Sequence, residues 1–251
     1  MPTPGLESGL EEFLLKIVPG LAEQWQGSPP EEIAQIEELA GRPLPPCYRW
    51  FLSRMGRNMG PLAYQRMDFS AQRVLTSYAD GLIEPDSQFL FIGHDPDKYM
   101  PLHFFFDLDL PVRGDARVTR RPAEGFERYD QFETFREQLA YGALLSFRIG
   151  LMKQRCTALF RSNEPEVLSY LTPVMDGLGF ARPVLTGRYC ELYLGQDAAM
   201  VCDVVPRDEP LVVMGFTLGG SDSGALRRIL GTITTETPLT LRRMEWDPPL
   251  P

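Results

Sequence analysis

Residues 31–62 read EEIAQIEELAGRPLPPCYRWFLSRMGRNMGPL, and the spacing inside this stretch sets the architecture of the first half of the chain. Ile33, Ile36 and Leu39/Ala40 recur at helical intervals, which predicts a short helix with one apolar stripe. Pro29-Pro30 stands before it, where a fixed φ suits a first turn. Gly41 is placed to end it, because a helix C-terminus takes a left-handed glycine without a Cβ clash. Pro43-Leu44-Pro45-Pro46 cannot continue a helix and holds Leu44 extended. Pro45 or Pro46 then opens a second helix, on which Tyr48, Phe51, Leu52 and Met55 share a face. Gly56 and Asn58-Met59-Gly60 follow as a turn. The expected order is helix, glycine stop, Leu-Pro plug, aromatic helix, turn.

Two later stretches extend this unit. FLFIG at 89–93, an acidic loop, and FFFDL at 104–108 read as paired strands. YDQFETFREQL at 129–139 reads as a helix with Phe132, Phe135 and Leu139 on one face. In this order the three stretches resemble the signature of the SUKH superfamily, which includes fungal cell-wall-assembly regulators and many bacterial toxin-immunity proteins. That pattern runs from an acidic isoleucine-bearing helix through a glycine, Leu-Pro, an aromatic and Phe-Leu to a glycine-rich turn, then paired strands and a closing helix. The likeness covers roughly residues 10–148. Two places depart from it: the central turn reads Gly56-Arg57-Asn58-Met59-Gly60, and His94-Asp95-Pro96-Asp97 stands where Gly-Asp doublets are common. The resemblance implies a sheet flanked by helices and a protein that binds other proteins, above all an immunity protein that blocks the active site of a cognate secreted toxin. It equally admits an intracellular regulator or scaffold with endogenous partners. A small-molecule-sensing module in the C-terminal half is a third reading.

Composition bounds the alternatives. Hydrophobic residues at 43% and charged residues at 24% are globular values, so 251 residues suffice for one large domain or two modest ones. No apolar run approaches the roughly 20 residues of a membrane helix. The first residues, MPTPGLESGLEEF, lack a basic n-region and an apolar h-region, so no signal peptide is expected and the cytoplasm is the expected compartment. The formal charge is −9. Residues 1–150 hold 15 basic and 22 acidic residues, against 10 and 12 in 151–251, so the acidity is concentrated in the first half. This argues against direct nucleic-acid binding, which depends on Lys and Arg. It suits a basic partner such as a nuclease toxin, although acidity also serves solubility alone. Cys47, Cys156, Cys190 and Cys202 form no CxxC pair and read as free thiols, the last three in buried, strand-like contexts.

Catalytic patterns are missing. No GxGxxG or GKS/T follows a strand, no GxSxG elbow occurs, and His94 and His103 pair with no cysteine nucleophile. His94, Asp95, Asp97, Asp107 and Asp109 could ligate a hard cation, but the EF-hand spacing is absent and Asp-Pro is ordinary turn chemistry. The expectation is a non-enzyme without cofactor or metal.

The remaining elements follow from periodicity. Leu10, Phe13, Leu14, Ile17 and Val18 predict an opening helix, interrupted at Pro19-Gly20. Ser70 is an expected N-cap, and Asp80-Gly81, Pro85-Asp86-Ser87 and Arg113-Gly114 are turns. In the strand at 102–110, His103, Phe105, Asp107 and Asp109 alternate with Phe104, Phe106 and Leu108, which predicts one solvated face. The second half predicts strands at 154–160, 184–185, 190–194, 199–205, 211–218 and 239–244. A helix over 163–176 capped by Asn163 and another over 222–234 accompany them. The expected class is α+β: a SUKH-like domain over 1–148 with a mixed or antiparallel sheet, and a smaller α/β-sandwich-like domain over 150–251 of unassigned family. The two later helices should cover one sheet face, with the other face buried against residues 1–148 or in a homodimer.

Candidate partner-binding residues are the acids beside the first apolar stripe, Glu31, Glu32, Glu37 and Glu38. Trp50, at the edge of the aromatic face, and the loop acids Asp95 and Asp97 complete the set. Tyr48, Phe51 and Leu52 are expected in the core.

Overall fold

In a computed structural model, described over residues 6–64, 67–124, 127–164, 166–205 and 212–249, the opening stretch folds in the order its spacing predicts. After helices α1 (Leu6–Ile17) and α2 (Leu21–Gln24), α3 spans Pro30–Ala40 with Pro29 at its N-cap. Gly41 ends α3 at φ 64°, and its N–H donates to the Glu38 carbonyl. Leu44 follows at 4% exposure, and α4 (Pro46–Met55) opens after Pro45. Tyr48, Phe51, Leu52 and Met55 are each fully buried. A short 3-10 turn at Gly60–Leu62 leads to α5 (Ala71–Ala79), whose N-cap Ser70 accepts a hydrogen bond from the Arg73 N–H.

The chain divides into two compact units, Met1–Leu139 and Ala140–Pro251. The division falls inside α6 (Phe135–Leu144), slightly before the boundary read from the sequence. In the first unit, β1 (Phe89–Gly93), β2 (His103–Val112), β3 (Asp115–Arg121) and β4 (Tyr129–Phe132) form an antiparallel sheet in that order. Arg113 and Gly114 both have positive φ, 52° and 72°, as the tight turn between β2 and β3 requires. The three stretches singled out in the sequence meet in one aromatic core. The Phe135 ring lies 4.9 Å from Phe51, 5.9 Å from Tyr48 and 5.7 Å from Phe106, centroid to centroid.

Two expectations about this sheet are corrected. The helix read over 129–139 starts only at Phe135, and Tyr129–Phe132 instead pair with β3 as a strand. His103, Phe105 and Asp107 do not face solvent; they are 2%, 0% and 0% exposed. The guanidinium of Arg121 covers the rings of Phe89 and Phe105 at 4.5 and 4.2 Å. The Asp107 carboxylate accepts hydrogen bonds from Arg128 at 3.0 Å and Gln88 at 3.2 Å. Long arginine stems can roof an apolar strand face, which a two-state polar/apolar pattern cannot express.

In the second unit a π turn at Leu145–Ile149 follows α6. The elements after it are β5 (Gln154–Ser162), α7 (Val167–Gly177), β6 (Cys190–Leu194), β7 (Ala198–Val205), β8 (Val212–Gly220), α8 (Ser223–Glu236) and β9 (Thr240–Asp247). The five strands pair antiparallel in the order β6-β7-β8-β5-β9. With two antiparallel sheets and helices packed beside them rather than alternating parallel βαβ units, the class is α+β. Phe160, Phe216, Met200 and Tyr193 from the sheet pack with Leu171, Met175, Leu226 and Ile233 from α7 and α8 on one face, as expected.

Three local expectations fail in this unit. Residues 184–185 form no strand; two β-branched or aliphatic residues between prolines, glycines and arginines carry no period. Asn163 does not cap α7: the helix starts at Val167 after Glu166, and Ser162 Oγ instead accepts the Glu164 N–H at 3.0 Å. Pro165 in that motif and Leu211 at the expected start of β8 lie outside the described residues. The second sheet face divides in two. Leu192, Ala199 and Val201 are fully buried there, and the Leu145–Ile149 turn packs on β7 and β8. On β5 and β9 the same face carries exposed Thr157, Arg161, Arg243 and Glu245. All four cysteines are buried and free.

Candidate partner-binding surface

The seven residues proposed from sequence separate into braces and exposed groups. Glu37 is a brace. Its Oε1 accepts the Leu44 N–H at 3.1 Å and also bonds Arg49, which ties the end of α3 to the Leu-Pro plug and the start of α4. The hydrogen bond from Arg49 holds its carboxyl below the usual range. Glu32 lies 4.0 Å from Arg57. Glu31 and Glu38 stand exposed on α3. Trp50 is half-buried, and its indole N–H donates to Glu11 Oε2 at 2.9 Å, an acceptor that also faces Arg54 at 3.4 Å. This bond orients Trp50 along α1.

Asp95 and Asp97 build the loop between β1 and β2. Asp95 is 8% exposed. Its Oδ1 accepts the Asp97 N–H at 2.9 Å, and its Oδ2 accepts the Leu102 N–H at 3.1 Å and Arg120 at 3.3 Å. The Asp95 N–H in turn donates to His103 Nδ1 at 3.1 Å. One buried carboxylate therefore clamps the two ends of the loop, and charge-assisted bonds of this kind are the stronger ones. His103 must be neutral at Nδ1 to accept that bond. Burial pushes its pKa down to about 4, with the stacked ring of His94, 5.0 Å away, acting in the same direction. His94 is fixed by backbone bonds to Asp68 and by a contact from Arg73 to its Nε2.

Asp97 works at the tip. Its Oδ1 accepts the N–H groups of Tyr99 at 2.8 Å and Met100 at 3.0 Å, an Asx turn that sets the direction of both residues. Tyr99 is 95% exposed and Met100 76%. Two adjacent large apolar side chains on a tied-down loop make a small exposed apolar patch, the kind of feature that marks an interaction site when it is larger than its surroundings. Sequence reasoning picked the two acids and passed over the two residues they present. The available signal was Tyr99-Met100 in a polar loop, one residue after Asp95-Pro96-Asp97.

Among the described residues no group of three or more His, Cys, Asp or Glu side chains is arranged to hold a metal ion. In this loop the acids point at backbone N–H groups instead. No helix among them is long and apolar enough to cross a membrane. Neither protein-family models nor curated proteins match the chain.

Proposed function

We propose that this protein is an immunity protein of the SUKH type, which binds a cognate secreted toxin in the cytoplasm of the producing cell and blocks its active site by occupancy. It turns over no substrate and uses no cofactor. The observation that carries the reading is the exposure of Tyr99 and Met100 on a loop braced by Asp95, His103 and Arg120. Aromatic and methionine side chains are enriched at the centres of protein interfaces, and a pre-ordered loop loses little entropy on docking. The meeting of residues 31–62, 89–108 and 129–139 in one core supports the family likeness, because these stretches carry it. The exposed acids Glu31, Glu38 and Asp97, with the net charge of −9, favour a cationic partner. In this mechanism Tyr99 supplies a buried anchor and the acids raise the association rate.

The test is whether a basic effector is encoded beside the gene and whether the purified chain binds it directly. A complex that forms and inhibits that effector is expected. Replacing Tyr99 by alanine should weaken it by about 2 kcal/mol or more, roughly thirtyfold in Kd. An effector that neither binds nor loses activity would overturn the proposal.

A further inference from the structure

β9 is the outermost of the five strands in the second unit's sheet. Among the described residues it pairs only with β5, so the N–H and C=O groups along its other edge meet no strand. The strand at the opposite end, β6, is partly closed off, because Ala181 and Leu194 exchange backbone bonds at 3.0 and 2.8 Å. Six of the eight residues of β9 are exposed, and Leu241 and Trp246 are half-buried. Met244 is 38% exposed, and Trp246 packs on the helix-covered core with the Arg227 guanidinium 5.8 Å from its ring.

An open edge of this length is a template for another strand, and folded proteins disarm such edges with bulges and charges. β9 has one bulge, where Arg242 is the extra residue between Leu241 and Arg243. From Arg243 to Asp247 its ladder to β5 is regular. The charges on this regular part have both signs. Arg243 and Glu245 lie on one face, either side of Met244, and bond each other along the strand. Two antiparallel copies of β9 centred on Met244 place Arg243 opposite Glu245 of the second copy, and Glu245 opposite Arg243 of the second copy. Met244 then meets its own counterpart, with Trp246 of the second copy on the diagonal. Moving the centre to Arg243 or Glu245 sets that charge against itself, which disfavours those registers. The charges therefore admit a second copy in one register rather than excluding it.

We infer that this protein forms a homodimer through β9, joining two copies of the five-stranded sheet edge to edge in the register centred on Met244. New backbone bonds and the covered Met244 and Trp246 side chains hold the contact. Arg243 and Glu245 are 75% and 60% exposed, so their pairs contribute little energy and act mainly by selecting the register. This dimer is independent of the toxin-binding reading, which rests on the first unit.

Sedimentation velocity of the full chain, from about 1 to 100 µM, is the test. A concentration-dependent dimer is expected. Arg243→Glu and Glu245→Arg each set like charges opposite one another on both sides of Met244, and each should weaken the dimer at least about tenfold. Mixing the two single variants matches every pair again, as does the double variant within one chain. Both should restore association to near the native level, which also shows that the variants fold. A native chain that stays monomeric at about 100 µM overturns the proposal and leaves the edge to a different strand or to none. It is equally overturned if the single reversals leave the dimer unchanged, or if neither the mixture nor the double variant associates better than the single variants.

Discussion

Leu44→Ala probes the element that joins α3 to α4. The side chain is 4% exposed and stands in the extended segment Pro43-Leu44-Pro45-Pro46. Removing three buried carbons forfeits about 2.4 kcal/mol of transfer free energy. The cavity left behind adds to this in proportion to how little the site can collapse. Collapse is restricted here, because prolines fix φ on both sides and the Leu44 N–H is bonded to Glu37 at 3.1 Å. The cost should therefore fall in the upper part of the Leu→Ala range, about 3–5 kcal/mol. At roughly 2–4 °C per kcal/mol for a chain of this length, the midpoint should drop by about 6–20 °C. The assay is thermal unfolding followed by tryptophan fluorescence, since Trp25 and Trp50 lie in the first unit. Pro45 and Pro46 are left in place so that only packing changes. A midpoint lowered by less than about 2 °C would show that the plug is not a packing element and refute this account of the first unit.

Three further outcomes follow from charge and burial. His103 should titrate near 4 rather than 6.5 by NMR, because burial disfavours its charged form. Its contribution is thus complete above about pH 6.5 and lost as pH falls toward 4, with Tyr99 and Met100 amides exchanging faster over that window; a normal imidazole titration would contradict the clamp at Nδ1. Asp115, fully buried, has its pKa raised to about 6 by desolvation, which Arg136 offsets only in part. The native fold therefore binds the extra proton between about 3.8 and 6, and stability relative to Asp115→Asn should decline as pH rises through that window. Parallel pH profiles of the two proteins would remove Asp115 as the cause. Association with a cationic partner should slow as salt passes about 0.15 M while dissociation changes less, and salt-independent association would eliminate steering by Glu31, Glu38 and Asp97.

Helices with a single apolar stripe and a proline or glycine at each end were legible residue by residue. Ile33 and Ile36 on α3, and Tyr48, Phe51, Leu52 and Met55 on α4, point inward as their spacing requires. Turns with a backbone need, such as Arg113-Gly114, were legible for the same reason. Surfaces roofed by long cations were not: Asp107 and Phe105 look solvent-facing until Arg121 and Arg128 are laid over them. Nor does sequence separate an acid that braces from one that meets a partner. Asp95 and Glu37 are spent on backbone N–H groups and arginines, whereas Glu31 and Glu38 on the same helix as Glu37 are exposed. The place of β9 at the end of its sheet was not legible either, because only long-range pairing decides which of the five strands lies outermost.

The central claim is that the exposed loop of the first unit neutralises a toxin made by the same cell. Its most direct measurement is survival of a strain lacking this gene in co-culture with its parent. Loss of the deletion strain is predicted, with rescue by the native chain and no rescue by a folded Tyr99→Ala variant. Survival of the deletion strain at the parent's level would contradict the claim.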